Sequence, residues 1–160
     1  AGELMRQQEH SSQLGQCENP LVDAFLFSRI REARQAGIPV EAPVVLPRRL
    51  PIANVDLVIL FGNLMDNAVE ACGQVASPFI RLEAGLRKDY LVVTETNPAP
   101  ADDTRKKRRI PQLERGIGLH ILTDLAGRYH GSCTQEVRDG QFTVSIALQL
   151  PENQGETEEA

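Results

Sequence analysis

Asn63, Asp66, Asn67 and Glu70 fall within the stretch NLMDNAVEAC, Asn63 to Cys72, in the most apolar part of the chain. Their spacing of i, i+3, i+4, i+7 sets all four on an arc of about 100° of a helix. All four side chains carry carbonyl or carboxylate oxygen, and no Lys, Arg or Gln shares the strip. Two readings stand side by side. A strip turned to water is the ordinary fate of a polar helix face. Oxygen donors on adjacent turns with no cation among them are also what a hard ion such as Mg²⁺ takes, and Mg²⁺ usually arrives with phosphates. Two asparagines four apart weaken a helix by about 1 kcal/mol relative to alanine, a cost that a solvent face does not require.

A second group, RGIGLHI from Arg115 to Ile121, sets two glycines one residue apart where a long loop is expected to enter a helix. Gly-x-Gly alone is weak evidence, because glycines tighten turns for structural reasons and Ile121 stands where a dinucleotide fingerprint needs its third glycine. No GxxxxGK[ST] loop occurs in the chain. The position adds weight. Backbone amides at a helix N-terminus cradle anionic oxygens, and the basic run Arg105 to Arg109 precedes these glycines.

These groups need a scaffold, and hydrophobic period supplies its outline. Asn19-Pro20 reads as a helix cap followed by a first-turn proline. Leu21, Val22, Phe25, Leu26, Ile30 and Ala33 then recur at helical steps until Gly37 stops the helix. From Ile38 to Leu46 the period falls to two, predicting a strand whose prolines confine it to a sheet edge. Asn54 is the expected cap of a long helix running to about Gln74. Strands are predicted over Phe79 to Arg87 and Tyr90 to Asn97, joined by a Lys88-Asp89 turn. The stretch from Pro98 to Glu114 reads as a long mobile loop. A helix from about Gly118 to Tyr129 follows, with Gly131 just past its end. The fold closes on a hairpin, Ser132 to Val137 and Phe142 to Leu150, turned at Asp139-Gly140. This order predicts an α/β two-layer sandwich, a mixed sheet with helices on one face and its other face partly solvated. Three segments result: 1–18 as the end of an upstream helix or linker, 19–151 as the folded domain, and 152–160 as a disordered acidic tail.

Composition narrows the classes. A chain of 160 residues with 41% hydrophobic and 24% charged residues is one globular domain, and 4% aromatic content makes its core aliphatic. A net charge of −5 argues against a general nucleic-acid footprint, and no apolar run approaches the roughly 20 residues that span a bilayer. Cys17, Cys72 and Cys133 are far apart and form no CxxC or Cys/His cluster, which argues against a disulfide framework or a zinc site and for a reducing setting.

GNLMDNAVEA closely resembles the N box of the GHKL superfamily (gyrase, Hsp90-type chaperones, histidine kinases, MutL), and RGIGL resembles its glycine-rich box. The separation of the two and the strand YLVVTETN match as well, over Asn19 to Leu150. Within the superfamily the chain looks most like the catalytic domain of sensor histidine kinases of the accessory-gene-regulator, quorum-sensing type. That resemblance implies the Bergerat fold and binding of ATP with Mg²⁺. By the same resemblance Asn67 coordinates the Mg²⁺ with Asn63 assisting, while Gly116, Ile117, Gly118 and Leu119, with Arg115 beside them, wrap the triphosphate. The loop Pro98 to Glu114 becomes the ATP lid, with Lys106 or Lys107 a candidate for the γ-phosphate.

Asn63 stands where hydrolytic members carry a glutamate that activates water. An amide is no general base at neutral pH, so kinase chemistry is favoured over ATPase chemistry. Glu70 stands where some kinases carry a phosphate-binding lysine, and is expected to orient water, metal or a lid cation, while Asp66 is counted with the ATP-binding strip. The usual adenine-reading Asp-x-Gly-x-Gly is replaced by Asn97-Pro98-Ala99-Pro100, in which the Asn97 amide oxygen accepts from the adenine amino group without charge assistance.

His10, in RQQEHSSQL, lacks the acidic and asparagine neighbours that the family's acceptor carries, and His120 falls inside the expected nucleotide helix with His130 just beyond it, so the acceptor histidine is expected upstream of Ala1. The absence of an initiator Met fits a piece of a longer protein. Partners implied are the dimerisation and phosphoacceptor domain of the same kinase, a response regulator and a second copy in a homodimer. A cytoplasmic location is implied, with membrane attachment only through upstream segments. Two other readings remain: a GHKL domain that has lost nucleotide binding and serves protein contacts, and an anti-sigma-type serine kinase.

Overall fold

The computed structural model describes residues 12–73, 75–99 and 110–151, without the side chains of 110–117. Helix α1, Pro20–Gln35, begins as its sequence dictates: the Asn19 side chain accepts from the Val22 amide, and Pro20 occupies the first turn. Gly37 leaves the helix at φ 89°, a conformation that glycine adopts freely. Strand β1 is only Val40–Glu41, paired in parallel with Ile80 and Arg81. The longer strand expected from Ile38 to Leu46 is broken into this short ladder and isolated bridges, Val44 to Ala84 and Leu46 to Cys17. Pro39 and Pro43 have no N–H to donate, so the alternation survives as a burial pattern while the ladder does not.

Helix α2, Asn54–Cys72, is capped at Ala53, and no side chain bonds its first amides, so Asn54 is the first helical residue rather than the cap. Strands β2, Ile80–Arg87, and β3, Tyr90–Pro98, form an antiparallel pair turned at Lys88, φ 57°. Helix α3 spans Ile110–Arg128, and β4, Ser132–Arg138, and β5, Gln141–Gln149, close the chain through a turn with both Asp139 and Gly140 at positive φ. The sheet order is β1-β2-β3-β5-β4, so β1 is an edge strand and β3 is central.

Period two sorts the sheet into faces. Ile80, Leu82 and Ala84, Leu91 and Val93, and Val144, Ile146 and Leu148 are buried in one core with Leu26, Phe61, Leu64, Leu122 and Leu125 of the helices. The opposite face carries hydroxyl pairs across β3 and β5, Thr94 with Ser145 at 3.0 Å and Thr96 with Thr143 at 3.2 Å. One face is therefore aliphatic and covered by helices, and the other polar, the two-layer sandwich that element order predicts. No helix among the described residues is long and apolar enough to cross a membrane.

Residues 12–18 are not helical. The Ser12 hydroxyl and the Gln13 and Leu14 amides all donate to the buried Asp23 carboxylate in the first turn of α1, at 2.8–2.9 Å. Cys17 is buried beside them, and burial pushes its thiol up to about 11. The expected acidic tail, 152–160, lies outside the described residues.

Candidate functional site

Helix α2 is buried nearly all round because it lies between α1 and α3 on the sheet. Its polar strip is split by that position. Asn67 is 7% exposed and Asn63 half-buried, and both meet α3 at Gly118. A Cβ on Gly118 would lie 3.0 Å from Asn63 Oδ1 and 3.2 Å and 3.3 Å from Asn67 Oδ1 and Nδ2, so glycine is what lets α3 come so near the two amides. The Asn63 amide is oriented by its own helix, because Nδ2 donates to the Ile59 carbonyl at 2.7 Å and leaves Oδ1 toward α3.

Asp66 and Glu70 are exposed on the other side. Asp66 accepts from Arg29 of α1 at 2.6 Å, and that guanidinium lies 5.1 Å from the Phe25 ring centre. Asp66, Glu70 and Arg29 line a groove of about 400 Å³ between α1 and α2. The strip is thus not free of cations, as its sequence suggests. Arg29 comes from a different helix, and only packing brings it there. The pair is open to solvent and worth well under 1 kcal/mol.

The glycine box sits in a different setting from the one expected. Helix α3 starts at Ile110, not near Gly118, so Arg115, Gly116, Ile117, Gly118 and Leu119 are all helical. Pro111 suits a first helical turn because its missing N–H has no partner there in any case. The amides of 116–119 are therefore inside a helix rather than at its N-terminus, and the predicted loop ends before Ile110. Leu119 is buried in the core with Leu122. Lys106, Lys107 and the basic run lie outside the described residues.

On β3 the inward alternation of Leu91 and Val93 continues into Glu95 and Asn97, both fully buried. Asn97 Nδ2 donates to both Glu95 carboxylate oxygens at 2.8 Å, and Asn97 Oδ1 has no hydrogen bond among the described residues. Glu95 was not anticipated. Its signal is the same period of two, which puts an acidic residue on a face otherwise aliphatic. Asp56, in the first turn of α2, is a second unanticipated buried carboxylate. It accepts from Tyr129 Oη at 2.6 Å and pairs with Arg128 at 3.3 Å. Burial first, and then that bond to Asp56, raise the Tyr129 phenol above its ordinary value.

Residues 52–149 match the model of the GHKL domain family. The chain belongs to the GHKL family. Among curated relatives of this GHKL domain, the sensor histidine kinase DcuS of Escherichia coli K12 is 29% identical over 155 residues, covering 91% of this chain and 28% of that protein. The sensor histidine kinase NatK of Bacillus subtilis is 26% identical over 142 residues, covering 82% of this chain and 45% of that protein. The GHKL domain here thus spans less than half the length of either relative. Among solved structures, the nucleotide-free catalytic domain of histidine kinase ThkA superposes with a TM-score of 0.66 at 18% identity, over 82% of this chain and 91% of that one. Histidine kinase AdeS of Acinetobacter baumannii superposes with a TM-score of 0.63 at 13% identity, over 82% and 64%. These likenesses establish the fold.

GHKL domains of kinases bind ATP, and the open atoms here suit that ligand. Among the described residues Asn97 Oδ1 is a buried acceptor without a donor and Asn67 Nδ2 a buried donor without an acceptor, the complements of an amino group and of an anionic oxygen. The Asn63 and Asn67 oxygens held at Gly118 are of the kind that Mg²⁺ accepts.

Proposed function

We propose that this GHKL domain is the ATP-binding catalytic domain of a sensor histidine kinase, delivering the γ-phosphate of Mg-ATP to a histidine outside this chain. The observation that carries the proposal is the pair of amides, Asn63 and Asn67, held side by side against a glycine that leaves them room. Asn67, assisted by Asn63, offers Oδ1 to the metal, and Asn67 Nδ2 donates to a phosphate oxygen. Bound Mg²⁺ supplies charge neutralisation across the phosphates. Asn97 accepts from the adenine amino group. Asn63, being an amide, takes no proton from water, which keeps the phosphate for transfer rather than hydrolysis.

The amides of Gly116, Ile117, Gly118 and Leu119 hold the triphosphate once the start of α3 uncoils. Two glycines in three positions favour this, since each costs a helix about 1 kcal/mol relative to alanine. Arg115 and Lys106 are the cations proposed to approach the phosphates, and Glu70, exposed beside the Asp66–Arg29 pair, is proposed to order water or a lid cation. Supporting partners are a dimerisation and phosphoacceptor domain of the same kinase, a response regulator and a second copy, in the cytoplasm. The segment boundaries proposed are 1–18, 19–151 and 152–160.

Titration with a fluorescent ATP analogue tests the reading. Mg²⁺-dependent binding that weakens at least about tenfold in Asn67→Ala is expected. Binding with unchanged metal dependence in that variant overturns the site. The continuity of α3 through the glycine box favours one second reading, a GHKL domain used for protein contacts alone. Failure of the parent chain to bind nucleotide at millimolar concentration decides for it. Acid-labile phosphohistidine on an added upstream segment separates the histidine kinase from an anti-sigma-type serine kinase.

A further inference from the structure

Glu95 and Asn97 occupy adjacent inward positions of β3, and both are fully buried. Their contact is bidentate from the amide side: one NH₂ group donates to two carboxylate oxygens at 2.8 Å each. This contact decides which way the Asn97 amide faces. Turned over, its Oδ1 would meet the same oxygens at that distance, acceptor against acceptor when the carboxyl is ionised. The carboxylate therefore selects one of the two orientations of an amide whose ends are otherwise alike in shape. The consequence appears at the other end of the group, where Oδ1 is left buried and unbonded among the described residues. Native structures rarely leave such an atom without a partner, so a donor from ordered water or a ligand is called for.

We infer that Glu95 is a positioning residue for base recognition, holding Asn97 Oδ1 as a fixed acceptor and thereby setting a preference for 6-amino purines over 6-oxo purines. This rests on the ATP-binding reading above. An adenine amino group donates to Oδ1. The 6-oxo group of hypoxanthine or guanine puts oxygen against oxygen, and a site built for one hydrogen bond rejects the ligand that leaves it unmade. Without the carboxylate the amide can turn and offer Nδ2 to the oxo group, so the selectivity belongs to Glu95 as much as to Asn97. Glu95→Gln keeps the shape but adds an N–H that can bond Oδ1, which satisfies both orientations of Asn97.

The test measures ATP against ITP, which differ at the 6-position of the base, by competition with a fluorescent analogue on the whole chain. Circular dichroism and thermal melting establish that each variant is folded. The parent is expected to prefer ATP by about tenfold or more, and Glu95→Gln to reduce the ratio to within about threefold while binding stays Mg²⁺-dependent. In Asn97→Asp alone, two carboxylates face each other and nucleotide binding falls. When Asn97→Asp is combined with Glu95→Gln, the introduced glutamine amide donates to one oxygen of the introduced aspartate. The other oxygen accepts from adenine, and the preference for ATP returns. A merely structural Glu95 predicts neither the loss of base preference nor its return. A folded Glu95→Gln chain that keeps the parent ratio overturns the role of Glu95 while leaving ATP binding intact. If Glu95→Gln does not fold, failure of the double variant to restore the ATP preference overturns it equally. A parent chain that binds neither nucleotide overturns the ATP reading and this inference together.

Discussion

Gly118 sits where α3 meets the two asparagines of α2, and two opposing terms act on its replacement. Alanine adds about 1 kcal/mol of helix propensity, while its Cβ, 3.0–3.3 Å from both amides, pushes them by a few tenths of an ångström. Gly118→Ala is therefore expected to leave the melting temperature within a few degrees of the parent and to weaken nucleotide binding about tenfold, read by melting and by titration. Equal affinity in the two chains would show that the amides need not be held where they are. Cys17 makes a second prediction at this scale. Burial, helped by the nearby Asp23 charge, raises its thiol from 9.0 to about 11, while the Asn19 backbone bond lowers it only in part. The folded state thus holds the proton more tightly than the unfolded one. Stability from this source is complete below pH 9, falls as the unfolded chain ionises, and is gone once pH passes about 11. Cys17 accounts for about 2–3 kcal/mol of loss in urea unfolding across that window, and Cys17→Ala removes that share while Cys72, Cys133 and Tyr129, also raised by burial, keep theirs.

Elements in this molecule are held at their ends. Asn19 caps α1 through the Val22 amide and also donates to the Arg48 carbonyl at 3.2 Å, tying the helix start to the following loop. Asn19→Ala is expected to cost about 1–2 kcal/mol in chemical denaturation, at the upper end for a cap because a second bond goes with it. Gly131 joins α3 to β4 at still closer quarters. A Cβ there would lie 1.7 Å from the Ala147 carbonyl oxygen of β5, and the obstacle is backbone paired within the sheet. Gly131→Ala is expected to destabilise by about 3 kcal/mol or more, since neither side can yield without breaking the ladder. A variant as stable as the parent would mean that the hairpin is free to shift as a unit.

The whole molecule is closed by polar contacts between distant parts of the chain. Tyr129 and Arg128, at the end of α3, reach Asp56 at the start of α2, and the Ala53 amide donates to the same phenol oxygen at 3.3 Å. Tyr129→Phe removes one donor from a buried carboxylate, and a loss of about 1–3 kcal/mol is expected by denaturant unfolding. The same scale explains which parts of the molecule were legible beforehand. Local period named α1, α2, both hairpins and the aliphatic core, because a run such as Leu21 to Ala33 or Phe142 to Leu150 must bury the face on which its apolar residues fall. The strand at Ile38 to Leu46 misled because burial alternation and ladder bonding are separate properties, and two prolines keep the first while removing the second. The start of α3 misled because the glycines of RGIGL suggest a boundary, while the helix runs through them from Ile110.

By itself the sequence determined the element order, the aliphatic faces and the family, because these follow from residue type at fixed spacing along one chain, while the extent of β1, the start of α3 and the burial of Glu95 and Asp56 did not. Only tertiary structure decided that Asn63 and Asn67 face α3 while Asp66 pairs with Arg29, that Gly118 rather than any loop fills the space beside the amides, and that Glu95 sets the orientation of Asn97. An arc on one helix says which side chains point together, but its neighbours are set by how three helices share one sheet face, and that information is not local to any of them.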